Sequence, residues 1–569
     1  MNKILTKAMA LLLATCSVAS ITACSTVVED IEHDKSQLYV ANYTGGTGEK
    51  WLEEVKARFE AAYKDKSFEE GKKGVQIITD SNKSYDGVTL ETTMNTSDFD
   101  VFFTHSAAYF SYASSGNLLD ITSLVTKKTG SDNKTIESKL TEEAKNILPI
   151  DGKYYAIPHA EITSANIQYD AGVFKSKNLY FGTAIDTTDT TYPGTRKFVA
   201  NSSAEKSCGP NGVKGDYDDG LPSTYMEFYK MMDKMTKNNV IPFVWTGKSM
   251  HYTNILTDSL LISYLGGDLT AANYDYQSDA TLEVIESFTG DTPNVTTITG
   301  INEDNANKIR SSAALYYALE LCDKVFSNEK NYYRESPLTT YTHLDAMTTF
   351  ARSGLNGQDH VAMLIDGTYW YNEAATDGIF KDLQANFPYN YTEKEFKVMP
   401  LPVKYSGTVE EGKGKAPTML AGAGSYAFIN AKIDEDIIDL AEEFLSFCYT
   451  DSELCSFTLA TNGIAKAVNY DYSALTDLPS YTKSVLEVTA YAKANGSYVT
   501  PLSNNPTYIK NARYFSMGPT SDYWSIKTSN GKVYSGAYDA FTSKPKVSVK
   551  DAFLGMALSD QMWSVMRSK

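Results

Sequence analysis

The residues of this chain best placed to do chemistry are aromatic and polar side chains that follow short apolar runs. Trp370 comes after residues 362–365 and the Asp366-Gly367 turn. Trp245 closes the run 240–244, with Tyr252 close behind, and Trp51 follows the glycine-rich stretch 44–48. His105 stands just past residues 99–103, His159 and Glu161 just past Ile157-Pro158, and Ser425 just past 421–424. Indole and phenol rings offer flat apolar plates, while hydroxyl, imidazole and carboxylate groups offer directional hydrogen bonds. That mixture suits a ligand with C–H faces and a rim of hydroxyls. Each residue also has a plainer reading, as core for the tryptophans and as surface or capping residues for His105, His159 and Glu161.

Other chemistries find less support. HExxH, GxSxG and CxxC are all missing, so the common zincin, hydrolase and redox signatures fail. Thr246-Gly247-Lys248-Ser249 imitates the end of a phosphate-binding loop, but Pro242 stands where that loop needs glycine. Asp80, Asn82, Ser84, Asp86 and Glu91 have a faint calcium-loop spacing, with Tyr85 at the position that demands glycine. No cofactor and no metal site are expected. A glycosidase needs only two carboxylates brought together in space. With 70 acidic residues in the chain, a secreted carbohydrate-active enzyme stays open as an alternative, as does a surface adhesin.

The elements that must position these residues alternate. Residues 38–43, 75–79 and 99–103 read as strands, and 51–63, 88–94 and 107–115 as helices, the first with Trp51, Val55 and Phe59 on one face. Such alternation implies βαβ units and a parallel sheet covered on both faces, with ligands bound beyond the carboxyl ends of the strands. Asp151-Gly152 reads as a hairpin turn. Ala421-Gly422-Ala423-Gly424 reads as a turn or hinge before a helix over 435–447.

The N-terminus carries Lys3 and Lys7 and then an apolar run over 8–21, of signal-peptide length and too short to span a bilayer. It ends in Ile21-Thr22-Ala23-Cys24, which resembles the bacterial lipobox and predicts a signal peptide over 1–23 and acylation of Cys24. Residues 24–35 read as a flexible tether. With 52 basic against 70 acidic side chains the formal charge is −18, and such a surface repels phosphate backbones, excluding nucleic acid as a partner. A chain this long needs at least two lobes. Its 40 tyrosines against 24 Phe and 5 Trp fit either a ligand surface or ordinary extracytoplasmic composition. A Cys448–Cys455 disulfide is left open, because Thr450-Asp451-Ser452-Glu453 looks like a capping box that starts a new helix between them.

Five stretches in order resemble the maltose-binding-protein-like family, the extracellular solute-binding proteins of carbohydrate ABC transporters. They are the Gly45-Gly46 loop with Phe59-Glu60; Phe99-Asp100-Val101-Phe102 with Gly116 to Ile121; Asp151 to Pro158 with Ile167 to Asp170 and Val173-Phe174; Leu221 to Phe228; and Val361 to Trp370. Tyr169-Asp170 departs from the usual Tyr-Asn and Tyr225 from Trp, and the spacers near 183–220 and 270–341 are long. The resemblance implies an α/β, two-lobed periplasmic-binding-protein-like fold with discontinuous lobes, 36–158 with 359–421 and 159–358 with 422–569, closing about a hinge cleft. It also implies a monomer on the outer face of the cytoplasmic membrane, held by a lipid anchor only, that carries a carbohydrate to ABC permease subunits. In the matching motif family members often carry a stacking tryptophan, which points to Trp370.

Overall fold

The computed structural model describes residues 30–568 apart from 106, 162, 164, 165, 356, 388–393, 423, 424 and 477. The expected signal peptide, Cys24 and Ala423-Gly424 of the expected hinge lie outside the described residues. The strands of the two main sheets are β1 (Ser36–Asn42), β2 (Val75–Ser81), β3 (Val101–Phe103), β4 (Ile157–Pro158), β5 (Ile167–Asp170), β6 (Val240–Val244), β7 (His360–Ile365), β8 (Phe396–Met399) and β9 (Tyr426–Ile429). The chain divides into two compact units. One takes the chain up to Glu161 and again over 423–476, and the other takes 162–422 and 477 onward.

The first unit holds a five-stranded sheet in the order β2-β1-β3-β9-β4. β1 lies parallel to β2 and β3, with Leu38 opposite Ile77 and Val40 opposite Val101. β9 enters antiparallel between β3 and β4. The helix Lys50–Ala62 buries Trp51, Leu52, Val55 and Phe59, an i, i+4, i+8 stripe that faces the sheet because helical residues four apart lie one above the other. All three residues of β3 are buried, so it reads as an unbroken apolar run. Helices at Gly87–Thr96 and Tyr109–Ser114 complete the alternation. Residues 30–35, expected to belong to a flexible tether, are instead held on the fold. Glu32 donates its backbone N–H to Gln76 Oε1 (2.9 Å) and Lys73 N–H bonds Asp34 O (2.8 Å), pinning 30–35 beside β2.

The second unit has a four-stranded sheet, β8-β5-β7-β6, in which β7 runs parallel to β6 and antiparallel to β5. β7 is buried over Val361, Ala362, Met363, Leu364 and Ile365, as a strand covered on both faces must be. The long spacer after residue 270 forms an antiparallel ribbon, Ser278–Thr289 with Thr292–Ile301, and the helix Ala313–Phe326.

The partition differs from the expectation in which segments travel together. Residues 359–421 belong with 162–358, because β7 completes its ladder on β5 and β6. The segment returning to the first unit is 423–476, which supplies β9, and the chain passes back at 476/477. The chain does change units at 422/423, beside the glycines predicted as a turn.

Smaller features also resolve. Asp151 and Gly152 both take positive φ, and a single bridge between Ile150 and Lys153 closes the turn in place of a hairpin ladder. A helix does start at Asp451, but without the capping box: Arg58 takes the Glu453 carboxylate at 2.7 Å, and the Thr450 hydroxyl bonds Phe447 O instead. Cys208, Cys322, Cys448 and Cys455 are all free. Among the described residues no helix is long and apolar enough to cross a membrane.

Candidate functional site

In each unit half-buried aromatic side chains gather at the carboxyl edge of the parallel strands. In the first, β1 runs into Tyr43 and β3 into Thr104-His105. The Tyr43 N–H bonds Phe103 O at 2.8 Å, and the Tyr43 and His105 rings stack at 5.4 Å and 21°. Both rings are half-buried. Asp86, past the end of β2, bridges to His105. Burial holds the His105 imidazole below its usual range, with Asp86 pulling the other way. Its Nδ1 has no hydrogen-bond partner among the described residues. The stacked, half-buried face can meet C–H groups, and the Tyr43 phenol can meet O–H groups.

In the second unit β7 runs into Asp366-Gly367-Thr368-Tyr369, and the turn Met250–Thr253 follows β6. These bring the Tyr369 and Tyr252 hydroxyls to 3.3 Å, with both rings half-buried. Glycine is needed at two places here for close approach. A Cβ at Gly367 would lie 2.1 Å from the Tyr369 ring, and one at Gly45 would lie 2.3 Å from the Tyr43 hydroxyl. Each tyrosine therefore folds back over its own loop.

The three tryptophans do not serve as plates. Trp51, 3% exposed, packs on Phe103, His159 and Phe457; Trp245, fully buried, on Phe326, Tyr332 and Tyr538; Trp370, fully buried, on Phe350, Phe396 and Tyr481. All three are core, since large apolar rings next to a sheet bury more area inward than a turn can expose.

Several polar candidates are internal as well. Ser425 staples strand ends, donating to Thr104 O (3.2 Å) and accepting from Ala160 N–H (3.1 Å). Asp366 is buried and accepts from Gly367 N–H at 2.8 Å, while burial and nearby Glu373 raise its carboxyl well above the usual range. Glu161 is buried, with its backbone N–H on Ala465 O. His159 is buried with Nδ1 2.7 Å from Lys466 Nζ, and that ammonium lies 4.5–5.1 Å from the rings of Trp51, Phe103, Tyr449 and Phe457. Burial, then Lys466, pushes His159 well below its normal range.

Of the expected site residues, His105 and Tyr252 keep an exposed edge. Of their partners, Tyr43 opens the stretch 43–51 that the strand-end rule points to, although it was not singled out, and Tyr369 was missed. The signal for both is a tyrosine at a strand's carboxyl end with glycine two residues away. Among the described residues the one His/Cys/Asp/Glu grouping able to hold an ion is Asp216, Asp218 and Asp219.

The fold is that of the two-lobed periplasmic binding proteins. A chitin oligosaccharide binding protein matches with a TM-score of 0.52 and 15% identity, over 94% of this chain and 99% of its own. Two further structures have TM-scores of 0.49 and 15% identity: the solute-binding protein RafE in complex with raffinose, over 85% of this chain and 95% of its own, and maltose-bound MalE3 of T. maritima, over 93% and 100%. No protein-family model and no curated protein matches the sequence.

Proposed function

We propose that the chain is an extracytoplasmic solute-binding lipoprotein that captures a carbohydrate, an oligosaccharide by preference, and hands it unaltered to the permease subunits of an ABC importer. The observation that carries this reading is the half-buried Tyr43–His105 pair at the carboxyl edge of the first sheet, where such folds bind ligands. The Tyr252–Tyr369 pair at the matching edge of the second sheet supports it, as does the likeness in fold to a protein named for binding chitin oligosaccharide.

The test is a thermal-shift and calorimetric screen over mono- and oligosaccharides, followed by chromatography of the recovered sugar. A ligand at 100 times its Kd stabilises the native state by about 2.7 kcal/mol. Tyr43→Ala and Tyr369→Ala are each expected to weaken binding about 10- to 100-fold while shifting the apo stability by only about 1 kcal/mol, because both rings are partly solvated. Cleaved sugar would establish an enzyme instead. Full affinity in both tyrosine variants would place the ligand elsewhere.

Anchorage rests on the Ile21-Thr22-Ala23-Cys24 sequence. Cys24→Ala is expected to move full-length protein from the membrane to the soluble fraction and to abolish labelling by a fatty-acid probe. Membrane retention without label in either form refutes acylation.

A further inference from the structure

The spacer near 183–220 carries a second cluster, unrelated to the tyrosine edges. Asp216, Asp218 and Asp219 each place a carboxylate oxygen within 4.8 Å of the others. Calcium–oxygen bonds of about 2.3–2.6 Å put opposite ligands about 4.6–5.2 Å apart, so the spread of the three oxygens is on the scale of a single ion's ligand shell. The independent pointer is Asp218. Its side chain is fully buried, Oδ2 accepts from the Asn211 N–H at 2.9 Å, and the enclosed Oδ1 has no partner among the described residues. Asp219 Oδ1 is likewise enclosed and unpartnered, while its Oδ2 accepts from Gly215 N–H.

Among the described residues no lysine or arginine ion-pairs with any of the three. Lys206 sits over the Tyr180 ring at 3.7 Å, and Lys214 pairs with Glu205. Asp216 instead faces the Asn211 amide at 2.7 Å. Lys206 acts on Asp219 from a distance, but no cation acts on Asp218, and a buried carboxylate beside two others is costly unless a proton or a cation neutralises it.

We propose that Asp216, Asp218 and Asp219 bind one calcium ion that locks the loop 208–220 of the second unit. The donors are all hard oxygens, which favours calcium over zinc or copper. The neighbouring thiol of Cys208 is turned to Val409 O at 3.4 Å and takes no part. The loop is already laced to residues 410–415, through Gly412 N–H to Gly212 O and Lys415 N–H to Pro210 O. An ion would therefore fix both segments ahead of the helix Tyr225–Lys237.

The test titrates calcium chloride into chelator-stripped full-length protein by calorimetry and repeats it on Asp216→Ala, which alters a half-exposed side chain, and on Asp218→Asn. The wild type should bind one ion per chain. Asp216→Ala should weaken that binding at least about tenfold, and Asp218→Asn should abolish it. In chelator, Asp218→Asn should melt at or above the wild-type temperature, because it removes an uncompensated acid; with calcium the order should reverse. Absence of binding to the wild type would overturn the proposal and leave a proton as the neutralising species. Undiminished binding in both variants would place the ion elsewhere on the acidic surface, and equal binding of magnesium would overturn the assignment to calcium.

Discussion

Trp370→Ala is expected to destabilise the second unit by about 3–5 kcal/mol, the range for truncating a large buried aromatic. The indole is fully buried and meets five aromatic rings: Phe350 at 5.3 Å, Tyr371 at 5.5 Å, Phe380 at 6.2 Å, Phe396 at 5.2 Å and Tyr481 at 5.2 Å, mostly edge to face. Edge-to-face pairs add about 0.5–1.5 kcal/mol beyond area burial. The ring joins β7, β8 and the helix Ser480–Ala494 in one cluster, so no single neighbour can relax into the void. Chemical denaturation of the apo protein measures the effect, with Tyr369→Ala as the adjacent control. If Trp370→Ala lost ligand affinity but less than about 1 kcal/mol of stability, the ring would be a ligand plate after all.

Lys466 gives the second large effect, one that appears through pH. Its ammonium is 1% exposed and shares one hydrogen bond with His159 amid four aromatic rings. The rings attract the cation, yet desolvation dominates and lowers the group to about 7, with Cys448 opposing it slightly. The unfolded chain keeps the proton up to the ordinary value of about 10.4. Between these values the unfolded state binds more protons, so this group makes stability rise with pH by about 1.4 kcal/mol per unit. Below about 7 the lysine is charged in both states and the full burial penalty applies. The clean window is pH 7–9, since buried Cys448, raised to about 12, contributes the opposite slope once the unfolded thiol begins to ionise near 9.

Asp258, raised to about 8 by burial, also gives an opposite slope, so the informative quantity is a difference. The stability of wild type minus that of Lys466→Met should rise by about 2–3 kcal/mol from pH 7 to pH 9. Denaturation curves at pH 7, 8 and 9 decide it. A constant difference would mean that Lys466 stays charged among its rings.

Much of the first unit was legible in sequence because its signals are local. The alternation over 38–115 produces β1, β2, β3 and their helices within a few residues, since apolar period and glycine placement act over one turn or one pleat. The same locality placed His105 and Tyr252 past strand ends, and the structure has them there. It failed for the tryptophans. A tryptophan after a strand has the same neighbours in sequence whether it turns inward or outward, and only distant rings such as Phe396 and Tyr481 settle which.

What the sequence by itself determined, then, is the alternating α/β order, the strand ends themselves, and the place beside residues 421–424 where the chain changes unit. Tertiary structure alone decided that β7 pairs with β5 and β6, that β9 returns to the first sheet, and that Tyr43 and Tyr369 rather than tryptophans line the edges. It alone enclosed Asp218 without a counter-charge and Lys466 among aromatic rings. The physical reason is common to all of these. Strand pairing, burial and charge compensation are set by groups far apart in the chain, whereas pattern and propensity report only on neighbours in sequence.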